Sequence, residues 1–183
     1  GIIAGHSETR PGSPTPIVDS NEQINAQVRA AAEQPDVRTI ILAVGETTEA
    51  IDQDGQRRRN RVLQTQVREA LRGLTTERLE RRLIIAYEPR WAIGTRPATP
   101  AYAQSAHTAI RQTLSRLFGP EFAQRVRITY GGSATAQNAA EFLAQDDIDG
   151  LLAGGASTST ARFVPIIEAA MTVAAEKKAR TGR

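Results

Sequence analysis

Five times along the chain a short apolar run gives way to a polar or glycine-bearing loop and then to a stretch whose apolar residues recur every three or four positions. That alternation constrains the fold more than any other feature. Runs rich in β-branched residues, such as Thr39–Val44 (TIILAV), read as strands buried on both faces. Strands joined through helices by short loops pair in parallel, with right-handed crossovers. The expected class is α/β with a parallel sheet, either open and doubly wound or curled into a β/α barrel.

The first strand is expected at Gly1–Gly5 and the first helix at Ser20–Glu33. Ile24, Val28, Ala31 and Ala32 share one face of that helix, and Ser20 with Gln23 forms a capping box. Further strands are expected at Thr39–Val44, Leu83–Tyr87, Val126–Tyr130 and Asp149–Ala153. Helices are expected at Asn60–Leu74, Pro100–Phe118, Thr135–Ala144 and Thr160–Lys178, with Gly119-Pro120 as a stop signal and Arg180–Arg183 frayed. All 183 residues read as a single domain.

Composition removes several function classes. There is no cysteine, hence no disulfide, thiolate nucleophile or Cys-ligated metal, and the two histidines, His6 and His107, lie far apart. No apolar run approaches the ~20 residues of a membrane span and no signal-peptide pattern opens the chain, so a soluble cytoplasmic protein is expected. The 23 basic residues barely exceed the 20 acidic ones, and aromatics make up 4%. The arginine clusters at 57–61 and 81–82 therefore read as solvated helix faces rather than a nucleic-acid surface. A slightly basic balance suits small phosphorylated anions.

The polar residues gather just after the strands, where α/β folds of either kind place their ligands. Tyr130–Ser133 (YGGS) and Gly154–Ser157 (GGAS) each join a strand end, bare backbone and a helix start, a device for holding phosphate. Glu88 ends an apolar strand and precedes Pro89, Trp91 and Gly94-Thr95: a stiff hinge, an apolar cover and a turning tip. A carboxylate under such a lid gains basicity by desolvation and suits a general base. His6 precedes a short helix start, where the positive end of the dipole favours a neutral imidazole that can donate to a carbonyl oxygen. His107 reads as a partly exposed helix residue, and Gly45-Glu46 as a structural tie between loops.

Taken together, GHSETR, AVGET, AYEPRWAIGT and ITYGGSATAQNAAEFLAQDDIDGLLAGGAS resemble the triosephosphate isomerase family, in order and approximate spacing across essentially the whole chain. The resemblance implies a (β/α)8 barrel to which this chain supplies about five β/α units, strands four to eight. It implies interconversion of dihydroxyacetone phosphate and glyceraldehyde 3-phosphate through an enediol(ate), with no metal or organic cofactor. Glu88 matches the family's catalytic base, His6 its neutral electrophile and Glu8 a supporting carboxylate. Gly94, Ser133, Gly154 and Gly155 match positions whose backbone N–H groups hold the phosphate. The base, the neutral histidine and the closing lid are general features of the family, carried over rather than deduced from spacing. The partners implied are a small phosphorylated sugar and a second copy of the chain in a homo-oligomer, with no nucleic acid and no membrane.

Three departures shape the remaining expectations. The family's first three β/α units are expected to be absent, with their asparagine–lysine pair, and five strands cannot close a barrel that takes about 250 residues. The lid exit, Arg96-Pro97-Ala98, is one residue shorter than the family's usual stretch, and its proline restricts a hinge. Arg90 stands where the family usually carries a small apolar residue. The alternatives to the isomerase are an inactive, phosphate-binding fragment that self-associates and an isomerase of another short ketose phosphate.

Overall fold

The computed structural model describes residues 1–11, 18–50 and 52–181. Five strands, β1 (Ile2–Ala4), β2 (Ile40–Val44), β3 (Leu83–Tyr87), β4 (Arg127–Tyr130) and β5 (Gly150–Leu151), form one parallel sheet in the order β1-β2-β3-β4-β5. Strictly sequential order means that each crossover advances in the same direction. A doubly wound sheet would reverse its order at a switch point, so the strands form an arc of the barrel type.

The helices are α1 (Asn21–Glu33), α2 (Gln53–Ala70), α3 (Thr76–Leu79), α4 (Pro100–Phe118), α5 (Pro120–Arg125), α6 (Ala139–Leu143) and α7 (Thr160–Thr181). Neighbours α1–α2, α2–α4, α4–α6 and α6–α7 pack side by side. They cover one face of the sheet. Ala4, Ile40, Leu42, Val44, Leu83, Ile85, Tyr87, Ile128 and Tyr130 alternate onto that face and share a core with Ile24, Val28, Leu63, Val67, Ile110 and Leu114. The other face carries the in-register row Ile3, Ile41, Ile84 and Arg127, of which Ile3 is half exposed. Among the described residues, β1 and β5 each pair on one side only.

The expected elements are present with shifted ends. The capping box holds: Ser20 Oγ accepts from the Gln23 N–H and Gln23 Oε1 from the Ser20 N–H. α2 starts at Gln53 rather than Asn60, because the Asp52 side chain accepts from the Gly55 N–H and caps a turn with few apolar residues. Gly119-Pro120 stops α4 but also opens α5: Gly119 turns the chain at φ 88° and Pro120 fits a first turn. α6 is shorter than expected and begins after turns at Thr135–Asn138. α7 continues to Thr181, past the expected fraying point at Arg180, and residues 182–183 lie outside the described residues.

Two arginines, Arg82 half-buried and Arg111 buried, tie the layers together. Arg82 donates to the carbonyls of Ala31, Ala32, Gln34 and Val37, closing the C-terminal end of α1. Arg111 on α4 pairs with Asp147 at 2.6 Å and Asp149 at 2.7 Å, and donates to the Ala123 and Val126 carbonyls. It thereby holds α5 and the approach to β5 against α4.

His107 corrects the sequence reading, which took it as partly exposed. It is fully buried, edge-on to the Tyr87 ring, with Nδ1 3.1 Å from the Asp147 carbonyl and Nε2 without a partner. The polar stripe of α4 faces α6 and the β4–β5 connection rather than water, which single-helix periodicity does not reveal. Burial pushes its imidazole down to about 4. Between the ordinary value of 6.5 and about 4, the unfolded chain takes up a proton that the folded one refuses, so stability falls as pH drops through that window. His107→Gln removes this loss. In urea denaturation at pH 7 and pH 4.5, the variant is expected to lose less stability than the parent, by on the order of 2–3 kcal/mol.

Candidate functional site

The loops that follow the five strands meet on one rim, and the sheet register sets their geometry. Val44, Tyr87 and Tyr130 lie abreast on β2, β3 and β4, so the next residue on each strand also falls in one row: Gly45, Glu88, Gly131. The backbone bonds continue into this row, from Glu88 N–H to the Val44 carbonyl and from Gly131 N–H to the Tyr87 carbonyl, both at 2.8 Å. A Cβ on Gly45 would lie 1.8 Å from the Glu88 carbonyl oxygen, and one on Gly131 2.9 Å from the Glu88 Cγ. Glu88 occupies space that only glycines on both flanking strands leave free.

Glu88 is nearly buried. Its Oε2 accepts from the Ser7 N–H at 2.8 Å, and its Oε1 lies 3.4 Å from His6 Nε2. Burial pushes its carboxyl above the ordinary value of 4.5; His6, the Ser7 N–H and Arg10 pull the other way without cancelling the effect. His6 caps the single turn Ser7–Thr9, with Nδ1 3.4 Å from the Glu8 N–H. A ring nitrogen that accepts carries no proton, so the hydrogen belongs on Nε2, toward Glu88. The Glu8 carboxylate is mostly exposed and lies 3.9 Å from His6 Nδ1.

The other candidate positions line a separate cavity of about 710 Å³. Gly94, Ser133, Gly154 and Gly155 all border it. So does Gly131, which joins the cavity wall to Glu88. A Cβ on Gly154 or Gly155 would meet nothing within 4 Å, so their backbone stands open to the space. Gly94 takes φ 68° at the lid tip, a conformation that favours glycine. The Ser133 N–H is occupied: it donates to the Ala92 carbonyl at 3.0 Å, while Oγ donates to the carbonyls of Ala92 and Thr95.

The lid is anchored at both ends. After Pro89, a single turn at Arg90–Ala92 buries Ala92 and half-buries Trp91. At the exit, the Ala98 N–H donates to the Tyr130 hydroxyl at 3.0 Å, and Arg96 pairs with Glu49. Glu46 is the tie between loops that the sequence implied. It accepts from the hydroxyls of Tyr87 and Tyr102 and from the Trp91 indole N–H, each at 2.9 Å. Beside that carboxylate, burial raises the hydroxyls of Tyr87 and Tyr102 above the ordinary 10, so both remain donors.

Sequence reasoning missed two residues here. Arg10 is buried against Glu88 and spans β1 and β2 through the carbonyls of Gly5 (2.8 Å) and Ala43 (2.6 Å). Arg162, in the first turn of α7, borders the glycine cavity and supplies a cation there. An arginine two residues into a helix that follows a glycine loop is the signal that could have found it. Among the described residues no cluster of His, Cys, Asp or Glu could hold a metal ion, and no helix is long and apolar enough to cross a membrane.

The geometry sets a buried, raised carboxylate against an imidazole N–H, beside a glycine-walled cavity with a cation. The sequence model of the triosephosphate isomerase family matches residues 1–170. A triosephosphate isomerase of Symbiobacterium thermophilum is 44% identical over 180 residues, covering 98% of this chain and 65% of the relative. One from a Roseiflexus species is 43% identical over 167 residues, covering 91% and 62%. One from Fusobacterium nucleatum is 42% identical over 172 residues, covering 92% and 63%. The chain thus spans 62–65% of the length of these relatives. It belongs to the triosephosphate isomerase family.

Proposed function

We propose that the protein interconverts dihydroxyacetone phosphate and glyceraldehyde 3-phosphate by moving one proton between adjacent carbons. The observation that carries this reading is the row Gly45–Glu88–Gly131. It holds a carboxylate of raised basicity 3.4 Å from His6 Nε2 and against the wall of the glycine cavity. The phosphate sits on the backbone of Gly94, Gly154 and Gly155, with Arg162 as counter-charge. Glu88 takes the proton from the carbon beside the carbonyl. His6 Nε2–H hydrogen-bonds the carbonyl oxygen as negative charge builds on it, giving an enediol(ate). His6 passes its Nε2 proton to that oxygen and takes up the hydroxyl proton of the adjacent carbon, and return of the proton from Glu88 to the former carbonyl carbon completes the isomerisation, with no net change in atoms or electrons.

The Ser7 N–H lowers the basicity of the carboxylate it holds. Moving Glu88 off Ser7 and onto substrate removes that bond, so the base strengthens on engagement. Ser133 behaves alike: releasing its N–H from Ala92 frees it for phosphate, which couples anion binding to the lid. Glu8 steadies the His6 ring. The working domain is a barrel in which further β/α units pair with the open sides of β1 and β5 and cover the Ile3–Ile41–Ile84 row. Their supply from the same polypeptide or a second copy decides the oligomeric state.

A second reading, an isomerase of another short ketose phosphate, rests on the lid exit, where the Arg96–Glu49 pair fixes a shortened loop. Comparing kcat/KM on three- and four-carbon ketose phosphates separates the two.

The direct test is proton exchange at carbon: dihydroxyacetone phosphate incubated with the protein in deuterated water, with label read by NMR. Incorporation is expected, and Glu88→Gln should lower its rate by roughly 10²–10⁴-fold. Phosphate binding without any incorporation would sink the isomerase reading and leave the inactive fragment. Gly131→Ala should lower kcat more than it raises KM, because the new methyl displaces the Glu88 side chain while leaving the Gly154-Gly155 backbone in place. Because the Glu88 carboxyl lies above its ordinary value, the acid limb of kcat/KM is expected above pH 4.5, with activity lost as pH falls through it.

A further inference from the structure

A second cavity, of about 530 Å³, opens between the loops after β1, β2 and β3 and one side of α2. It holds none of the glycines assigned to substrate phosphate. Four guanidinium groups border it, from Arg10, Arg58, Arg59 and Arg90, together with the side-chain amides of Asn21 and Gln66.

Arg59 is the least explicable of these as a structural residue. It is 2% exposed, and its Nη1 has no hydrogen-bond partner. Its other nitrogens donate to Asn60 Oδ1 and Ser105 Oγ, and its guanidinium lies 4.7 Å from the centre of the Tyr102 ring. Among the described residues no carboxylate comes within ion-pair distance of it. A buried cation with neutral partners is costly unless a counter-ion completes it.

The carboxylates of the cavity wall do not fill that role. Glu46 is committed to Tyr87, Tyr102 and Trp91, and Glu49 to Arg96. Arg58 is exposed and makes no ion pair among the described residues. Arg10 adds charge, its nitrogens already donating to Gly5, Asn21 and Ala43. Arg90 donates to the Pro11 carbonyl at 2.6 Å. Four cations therefore line a space of metabolite size whose own two carboxylates are engaged, and the further carboxylates of Glu88 and Asp19 act on Arg10. The planar guanidinium fork holds two oxygens of a phosphate at once, which no other side chain does as well.

We propose that this cleft is a second anion site, which takes a small phosphorylated molecule separately from the isomerase pocket. It goes beyond the isomerase reading and stands without it. Arg10 and Arg90 also border the small space against Glu88, together with Ser7 and Gly45. An anion held by them offsets positive charge beside the catalytic base, so occupancy of the cleft is felt at Glu88 without contact with substrate.

Inorganic phosphate is the probe. It is titrated into ¹⁵N-labelled protein at constant ionic strength, with chloride as the control anion. Two sets of amide shifts are expected, with different midpoints: Ser133, Gly154 and Gly155 in one, Asn21, Thr47 and Thr48 in the other. Arg58→Ser should weaken the second set about tenfold and leave the first unchanged, and Arg59→Met should do the same. Arg58 is exposed, so its variant tests the site even where Arg59→Met unfolds. Phosphate shifts confined to Ser133–Gly155 overturn the second site and leave the isomerase pocket standing. Shifts at Asn21 and Thr47 that chloride reproduces, or that survive Arg58→Ser, also overturn it. Shifts at the second set alone support the cleft and count against the phosphate pocket.

Discussion

Parallel pairing of β1 to β5 in unbroken chain order is the constraint on which everything else here depends. It forces a helix between each pair of strands, lays the helices on one face and delivers the C-terminal ends of all five strands to one rim. His6, Gly45, Glu88, Gly131 and Gly154 follow successive strands and so become neighbours. No local propensity could bring together residues separated by some eighty positions, as His6 and Glu88 are. The register does so, and a one-residue slip of β3 would turn Glu88 onto the helix-covered face.

The row Gly45–Glu88–Gly131 shows how packing and chemistry share one solution. A carboxylate proposed as a base needs burial to be basic and room to move. Side chains on the flanking strands would supply the first and deny the second. Gly45 leaves room for the Glu88 backbone and Gly131 for its side chain, with Arg10 close by. Tension between desolvation and the Ser7 N–H sets the carboxyl above its ordinary value while keeping it anchored.

Much of this was legible in the sequence. The alternation fixed the class, and β3 and α4 fall where their patterns place them because both have sharp chemical ends: Glu88-Pro89 for one, Thr99-Pro100 and Gly119 for the other. The glycine loops and Glu88 stood out because their types are unusual after an apolar run. What could not be read depends on neighbours distant in sequence. His107 looks like any polar residue on an amphipathic helix until α6 and the β4–β5 connection cover it. Arg10 and Arg59 look like surface charges until their burial is seen. Whether the sheet was singly or doubly wound rested on strand order, which the alternation of elements leaves open.

Glu46 collects donors from three places: Tyr87 on β3, Tyr102 on α4 and Trp91 on the lid. Two of these belong to the sheet and its helices and the third to the loop after β3. Trp91 is also the single tryptophan of the chain. Its indole N–H points at a carboxylate, its ring meets Tyr102 edge-on, and Arg96 lies 5.4 Å from its centre. Indole emission responds to nearby charge and to exposure. The protein therefore carries a single optical reporter on the loop after β3, set between a carboxylate, a tyrosine ring and a guanidinium.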